Sequence, residues 1–180
     1  GTQVDELVSK VRRFNLEAFE KGDFWGGLKP LEDKVRFEVC DFVDSTVEPN
    51  SVSALVSFAV LEHVDDIYNV SKRIYDAMLP GGIVYHFIDL ADHRSYRLGG
   101  EFHPLSFLAE EEAPPGINRL RASEHVMAQM EAGFELLSNK VVKSDIPDNV
   151  RRNLLPKFRA MHLDDVCGIE QYLSLRKPLE

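Results

Sequence analysis

The chain has 180 residues, 44% of them hydrophobic, enough to bury one sizeable core in a single soluble domain. Its formal net charge of -9 opposes extended contact with a phosphate backbone, which excludes nucleic acid as a partner. No apolar run approaches the ~18 residues that cross a bilayer, which excludes a membrane span and points to a cytoplasmic protein.

The two cysteines, Cys40 and Cys167, have no CxxC spacing. They read as small buried hydrophobes in a reducing compartment, with neither a disulfide nor a zinc site. The basic residues Lys143, Arg151, Arg152, Lys157 and Arg159 read as a solvated face. Leu179-Glu180 looks like an expression-tag remnant, leaving 1–178 as the domain, and Gly1-Thr2-Gln3 reads as a cut into a longer chain.

In chain order, Val4, Leu7, Val8, Val11, Phe14, Ala18 and Phe19 recur at three- and four-residue steps, one face of an amphipathic helix. Gly22, Gly26, Gly27 and Pro30 make 21–34 a loop, with Phe24 and Trp25 as anchors. Residues 35–39 (VRFEV) alternate as a short strand, and Asp41 follows it. The run 52–60 is nearly all apolar, as in a strand buried on both faces of a parallel sheet. Asp65 or Asp66 caps a helix to about Met78, with Ile67, Val70, Ile74 and Ala77 inward, and Pro80-Gly81-Gly82 stops it. Residues 83–90 (IVYHFIDL) are the next strand, so strand, helix and strand form a parallel crossover. Residues 122–132 read as a helix, and 133–142 and 169–176 as strands. The irregular stretch at about 91–120 follows a strand's carboxyl end, where a lid covers a ligand crevice.

Three ordered segments, VRFEVCDF (35–42), SALVSFAVLEHVDD (53–66) and MLPGGIVYHFIDL (78–90), resemble the third, fourth and fifth strands of class I S-adenosylmethionine-dependent methyltransferases of the small-molecule type. Glu131-Ala132-Gly133-Phe134 and the closing hairpin are similar to that family's tail. The resemblance implies an α/β, Rossmann-like sheet, mostly parallel, in the order 3-2-1-4-5-7-6 with strand 7 antiparallel. It also implies that strands 1 and 2 are missing here. Unpaired buried backbone is costly. Either an N-terminal segment belongs to the sheet or it closes differently, through a second copy in a homodimer.

The resemblance further implies S-adenosylmethionine as cofactor. Its glycine-rich turn has no counterpart, because the sequence contains no GxG, and Thr2 falls where an acidic residue would hold the ribose. Asp41 would accept a hydrogen bond from the adenine amino group and Phe42 would pack near the ring. Phe58, Ala59 and Val60 would line the cofactor. Glu62 and His63 lie just past a strand's carboxyl end, where His63 can act as a general base and Glu62 can bind substrate. His86, Asp89, Asp92 and His93 have a spacing that permits a metal. The reading preferred here places Asp89 and His93 on the substrate, turns His86 inward and assigns no metal. His103 is a further candidate, on the lid. The expected function is methyl transfer to an oxygen or nitrogen of a small molecule by the intact protein. Its rival is a non-catalytic binding or assembly module of the same fold that does not bind the cofactor.

Overall fold

A computed structural model describes residues 38–97 and 102–179, and within them the apolar runs of the sequence become strands and helices. The chain divides into two units, Gly1–Asp41 and Phe42–Glu180. Of the first, residues 38–41 are described; they are exposed and form neither strand nor helix. The strand expected at 35–39 is thus absent at its last two positions. Residues 35–37, the helix expected at 4–19, the loop 21–34 and Thr2 lie outside the described residues. The architecture below is that of the second unit.

The sheet has the order β1-β2-β4-β3. Its strands are β1 (Val52–Phe58), β2 (Met78–Asp89), β3 (Glu135–Lys143) and β4 (Gly168–Arg176). β1 and β2 run parallel, while β4 is antiparallel to both β2 and β3. Helix α1 (Ile67–Ala77) makes the crossover from β1 to β2. Its start is set by Asp66, whose carboxylate accepts the Asn69 N–H at 3.0 Å and so satisfies one of the orphan donors of the first turn.

Pro80-Gly81-Gly82 does not stop this helix. Met78 already has extended backbone and pairs with Val52, and the next pair is Ala54 with Ile83, so residues 79–82 bulge inside β2. Glycine is required here on two counts. Gly81 has φ 76°, and a Cβ on Gly82 would lie 2.8 Å from the Leu79 carbonyl oxygen. The bulge is tied to the end of β4 by Gly81 N–H to Lys177 O and Lys177 N–H to Gly82 O, both 2.9 Å.

After the short helix α2 (Arg94–Arg97), α3 (Ala122–Ala132) ends at Gly133, whose φ of 111° turns the chain into β3. The inward residues of α1 and α3 meet one face of the sheet in two apolar clusters. One gathers Leu61, Ile67, Ile88, Leu90, Ala122 and Ala128. The other gathers Ile74, Met78, Val84, Phe134, Leu173 and Leu175. Fully buried polar side chains are interspersed on the same elements: Ser71, His86, His125, Gln129 and Gln171. A third cluster joins Leu105, Phe107 and Leu108 to Val150, Leu154, Phe158 and Val166. The last four come from α4 (Asp148–Asn153), the residue after it, α5 (Pro156–Arg159) and α6 (Leu163–Val166). The stretch read as a lid is therefore packed on its own core along much of its length.

Two expectations are corrected. β1 is not buried on both faces: Val56 and Phe58 are each 72% exposed, on the sheet face that also leaves Ile83 and Tyr85 of the central strand β2 exposed. The thiols are not buried either, Cys40 being exposed and Cys167 half-buried. Among the described residues no helix is long and apolar enough to cross a membrane.

Candidate functional site

Parallel strands joined by a helix place their carboxyl ends side by side, and loops leaving those ends enclose a crevice. At the ends of β1 and β2 the rings of Phe58 and Phe87 stack with centroids 4.4 Å apart. Ala59 then takes φ 52°, a left-handed conformation that a non-glycine residue adopts only under local constraint, and its N–H donates to Phe87 O at 3.0 Å. This kink sends the chain out of the sheet into the 3-10 turn Leu61–His63. Val60 is left 47% exposed, while Leu61 and Glu62 are buried.

The turn is clasped by the end of the long segment. Asn118 donates its side-chain amide to Leu61 O at 2.7 Å and Val64 O at 2.9 Å, and its backbone N–H to Glu62 O at 2.9 Å. Gly116, with φ 74°, presents its carbonyl to Nδ1 of His63 at 2.5 Å. A carbonyl accepts only, so Nδ1 carries the proton and Nε2 keeps its lone pair.

Glu62 is 2% exposed, and neither carboxylate oxygen has a hydrogen-bond partner. Burial pushes its carboxyl pKa up, and the nearby Asp89 carboxylate adds to this. Its own N–H, the neighbouring His63 and the Asp89 N–H oppose the rise, the two N–H groups lying near the carboxylate without hydrogen-bond geometry. Nε2 of His63 is 3.8 Å from Glu62 Oε1. His93, one turn past the end of β2, lies edge-on to His63 with ring centroids 5.2 Å apart. Its Nε2 is 3.2 Å from Asp89 Oδ2 without forming a hydrogen bond. Asp89 Oδ1 accepts the Ala91 N–H at 3.0 Å and the Tyr96 hydroxyl at 3.3 Å. Burial and then the Asp89 charge push the Tyr96 phenol up to about 12.

Of the residues singled out from the sequence, Phe58, Ala59, Val60, Glu62, His63, Asp89 and His93 fall at this end of the sheet. Phe42 opens the 3-10 turn Phe42–Asp44 and packs against the cluster around Ile74 and Val84, with the Arg73 guanidinium 5.9 Å above its ring. Asp41 belongs to the first unit and is exposed. The second sequence cluster is split. His86 faces α1 and α3, bonded to Ser57 at 2.7 Å, whereas Asp92 is buried and held by Arg94, which also binds Glu110. His103 is half-buried beside Ser144, its pKa lowered by burial. The sequence reading passed over Tyr96, Gly116 and Asn118. For Gly116 and Asn118, the turn-forming run Pro114-Pro115-Gly116-Ile117-Asn118 was the available signal.

An adenosyl group needs apolar and aromatic surface together with a close backbone cradle for its charged end. The exposed rings and aliphatic groups of Phe58 and Val60, with the small Ala59 between them, fit the first need. The second is not met by a glycine turn in the sequence. The described residues thus fit the cofactor as one wall of its site.

A family model for a methyltransferase domain matches residues 16–86. A sterol 24-C-methyltransferase of Aspergillus fumigatus is 32% identical over 130 residues, covering 67% of this chain and 31% of that protein. The chain thus spans about a third of the length of the curated relative it matches. Among solved structures, the [4+2]-cyclase SpnF is similar with a TM-score of 0.54 at 18% identity, over 91% of this chain and 60% of that one. An S-adenosylmethionine-dependent methyltransferase from Methanosarcina mazei is similar with a TM-score of 0.51 at 16% identity, over 86% and 79%. At these identities the structural likeness is one of fold. The sheet described here corresponds to the strand order 4-5-7-6, with the antiparallel strand where the sequence placed it.

Proposed function

Because the chain belongs to the class I S-adenosylmethionine-dependent methyltransferases, whose cofactor is S-adenosylmethionine, we propose that the intact protein transfers a methyl group to an oxygen or nitrogen of a small molecule. One observation carries this reading. The exposed apolar wall of Phe58, Ala59 and Val60 runs directly into the polar group Glu62, His63, Asp89 and His93 at the carboxyl ends of a parallel strand pair.

When bound, the cofactor supplies an electrophilic methyl group. The chain's own part is to orient the acceptor and take its proton. Phe58, Ala59 and Val60 hold the cofactor from one side. His63, its Nδ1 proton held by Gly116 O, offers Nε2 as base to an acceptor hydroxyl or amine. Asp89 and His93 bind the acceptor, and Glu62 completes the polar wall. In-line displacement gains chiefly from such positioning. The segment at about 91–120 covers the acceptor.

A carbon acceptor is the second reading, favoured by the relative whose name specifies 24-C-methylation. The fold by itself does not decide the chemistry, since a cyclase shares it. A small-molecule acceptor is the partner in either case. Pairing with a second copy at the exposed edge of β1 is the alternative way of completing the sheet.

Titration calorimetry with S-adenosylmethionine and S-adenosylhomocysteine tests the reading. The 180-residue chain is expected to bind with Kd no tighter than ~1 mM, about 4 kcal/mol. A longer chain in which a glycine-rich turn after a strand precedes these residues is expected to bind in the micromolar range and to transfer labelled methyl. An extended protein that ignores both ligands would leave the non-catalytic module as the answer.

A further inference from the structure

The polar group beyond β1 and β2 has a feature that substrate binding does not require. Glu62 is a carboxylate taken almost wholly out of water, and both its oxygens lack a hydrogen-bond partner. Nε2 of His93 is also buried and without a hydrogen bond. Leaving such groups unsatisfied is costly, and structures keep them where something else completes them. Glu62, His63 and His93 each offer one ligand atom, and these atoms all lie within 4.8 Å of one another.

The surroundings prepare the ligands. Gly116 O holds the proton of His63 on Nδ1, so Nε2 is fixed as the coordinating atom and the ring is oriented by a backbone acceptor, as outer partners of metal-bound histidines do. Asp89 places a second carboxylate 3.2 Å from His93 Nε2. The two rings are held edge to face rather than stacked. Bonds of ~2.1 Å to a tetrahedral ion set ligand atoms about 3.4 Å apart, against 3.8 Å between His63 Nε2 and Glu62 Oε1. Two imidazoles and one carboxylate suit a divalent transition-metal ion and leave coordination positions open.

We propose that Glu62, His63 and His93, with Asp89 beside them, form a binding site for a divalent transition-metal ion of the zinc type, open on one side to an oxygen or nitrogen of the acceptor. The ion's role in turnover rests on the methyl-transfer reading; its binding does not. In the loaded state His63 is a ligand and no longer a base. A hydroxyl coordinated to the ion would become more acidic and lose its proton to solvent; its oxygen would then bond to the methyl carbon as that carbon's bond to the cofactor sulfur breaks and sulfur keeps the electron pair. The site would then favour acceptors that coordinate metal, such as those carrying two neighbouring oxygens.

The test is a zinc titration of the chelator-treated 180-residue chain against a chromophoric competitor. The background is C40S/C167S, so that thiols contribute nothing. One equivalent of zinc is expected to bind, and Co2+ in its place should give the visible absorption of a low-coordinate site. Glu62→Gln, His63→Ala and His93→Ala should each weaken zinc by at least tenfold, while His103→Ala leaves it unchanged. Circular dichroism of each variant checks that the fold is kept, and His63, being half-exposed, is the safest to replace. No stoichiometric zinc, or binding indifferent to His63→Ala and His93→Ala, would overturn the proposal. Methyl transfer is assayed separately, so its failure leaves the titration result standing, and activity without bound metal would overturn the ion's role in turnover.

Discussion

His86 and His125 show how a polar residue in the core sets a condition on stability. Both are fully buried, on β2 and α3, with Ser71, Gln129 and Gln171 among the polar groups on the elements packed around them. Burial lowers His86 from 6.5 to about 4. Burial, the Arg121 guanidinium and His86 lower His125 to about 3. Arg121 is itself fixed by donating to Leu90 O, Val166 O and Gly168 O, so its charge cannot swing away. Because both folded pKa values lie below the unfolded 6.5, the unfolded chain binds more protons at acid pH. The stability these histidines give as neutral groups is complete above pH 6.5. It is lost as the pH falls toward about 4, at roughly 1.4 kcal/mol per pH unit for each. Urea unfolding should therefore show a loss of about 2 kcal/mol between pH 6.5 and 5.5. A flat profile over that unit would show that the two rings are solvated.

Among elements, the segment 102–118 is the one whose tertiary role differs most from its sequence appearance. Its prolines and glycines mark it as irregular. Yet Leu105, Phe107 and Leu108 bury themselves against α4, α5 and α6, and Arg119 donates to Phe107 O and Glu110 O. Its closing end is held on the turn Leu61–His63 by the Asn118 side chain, with the His63 ring bonded to Gly116 O beside it. Replacing Asn118 with Ala removes two bonds to backbone carbonyls, worth about 1–3 kcal/mol together. Hydrogen exchange should quicken at Asn118 and over Leu61–Val64, while the amides of β4 keep their protection. If β4 loosens equally, the clasp is part of the global core and not a local latch.

At the scale of the whole molecule, the second unit has one covered and one uncovered sheet face. His86 and Val84 point to α1 and α3, while Ile83, Tyr85, Val56 and Phe58 are exposed on the other side. An edge strand with exposed apolar side chains is a template for unwanted pairing. A charge at its centre should suppress this. Val56→Lys is expected to lower concentration-dependent light scattering of the 180-residue chain without moving its thermal midpoint by more than a few degrees. Unchanged scattering would place any association elsewhere on the surface.

Much of the second unit was legible in the sequence. The strands at 52–58 and 168–176, the helices at 67–77 and 122–132 and the turn at Gly133 follow from local periodicity, capping and backbone sterics, which nearby residues suffice to specify. The inward turn of His86 was read from the same alternation. What the sequence could not specify is which face of a strand is covered. The apolar run 52–60 looks alike in a central strand and in an edge left open. Nor could spacing say which histidines meet. His86 and His93 are seven residues apart yet face different surroundings, whereas His63 and His93, thirty apart, share one site. Only the parallel pairing of β1 with β2 places the carboxyl ends of both strands together, and only the clasp from Gly116 and Asn118 sets Glu62 and His63 in their places. Local residues thus determined the elements, and long-range contacts assembled the site.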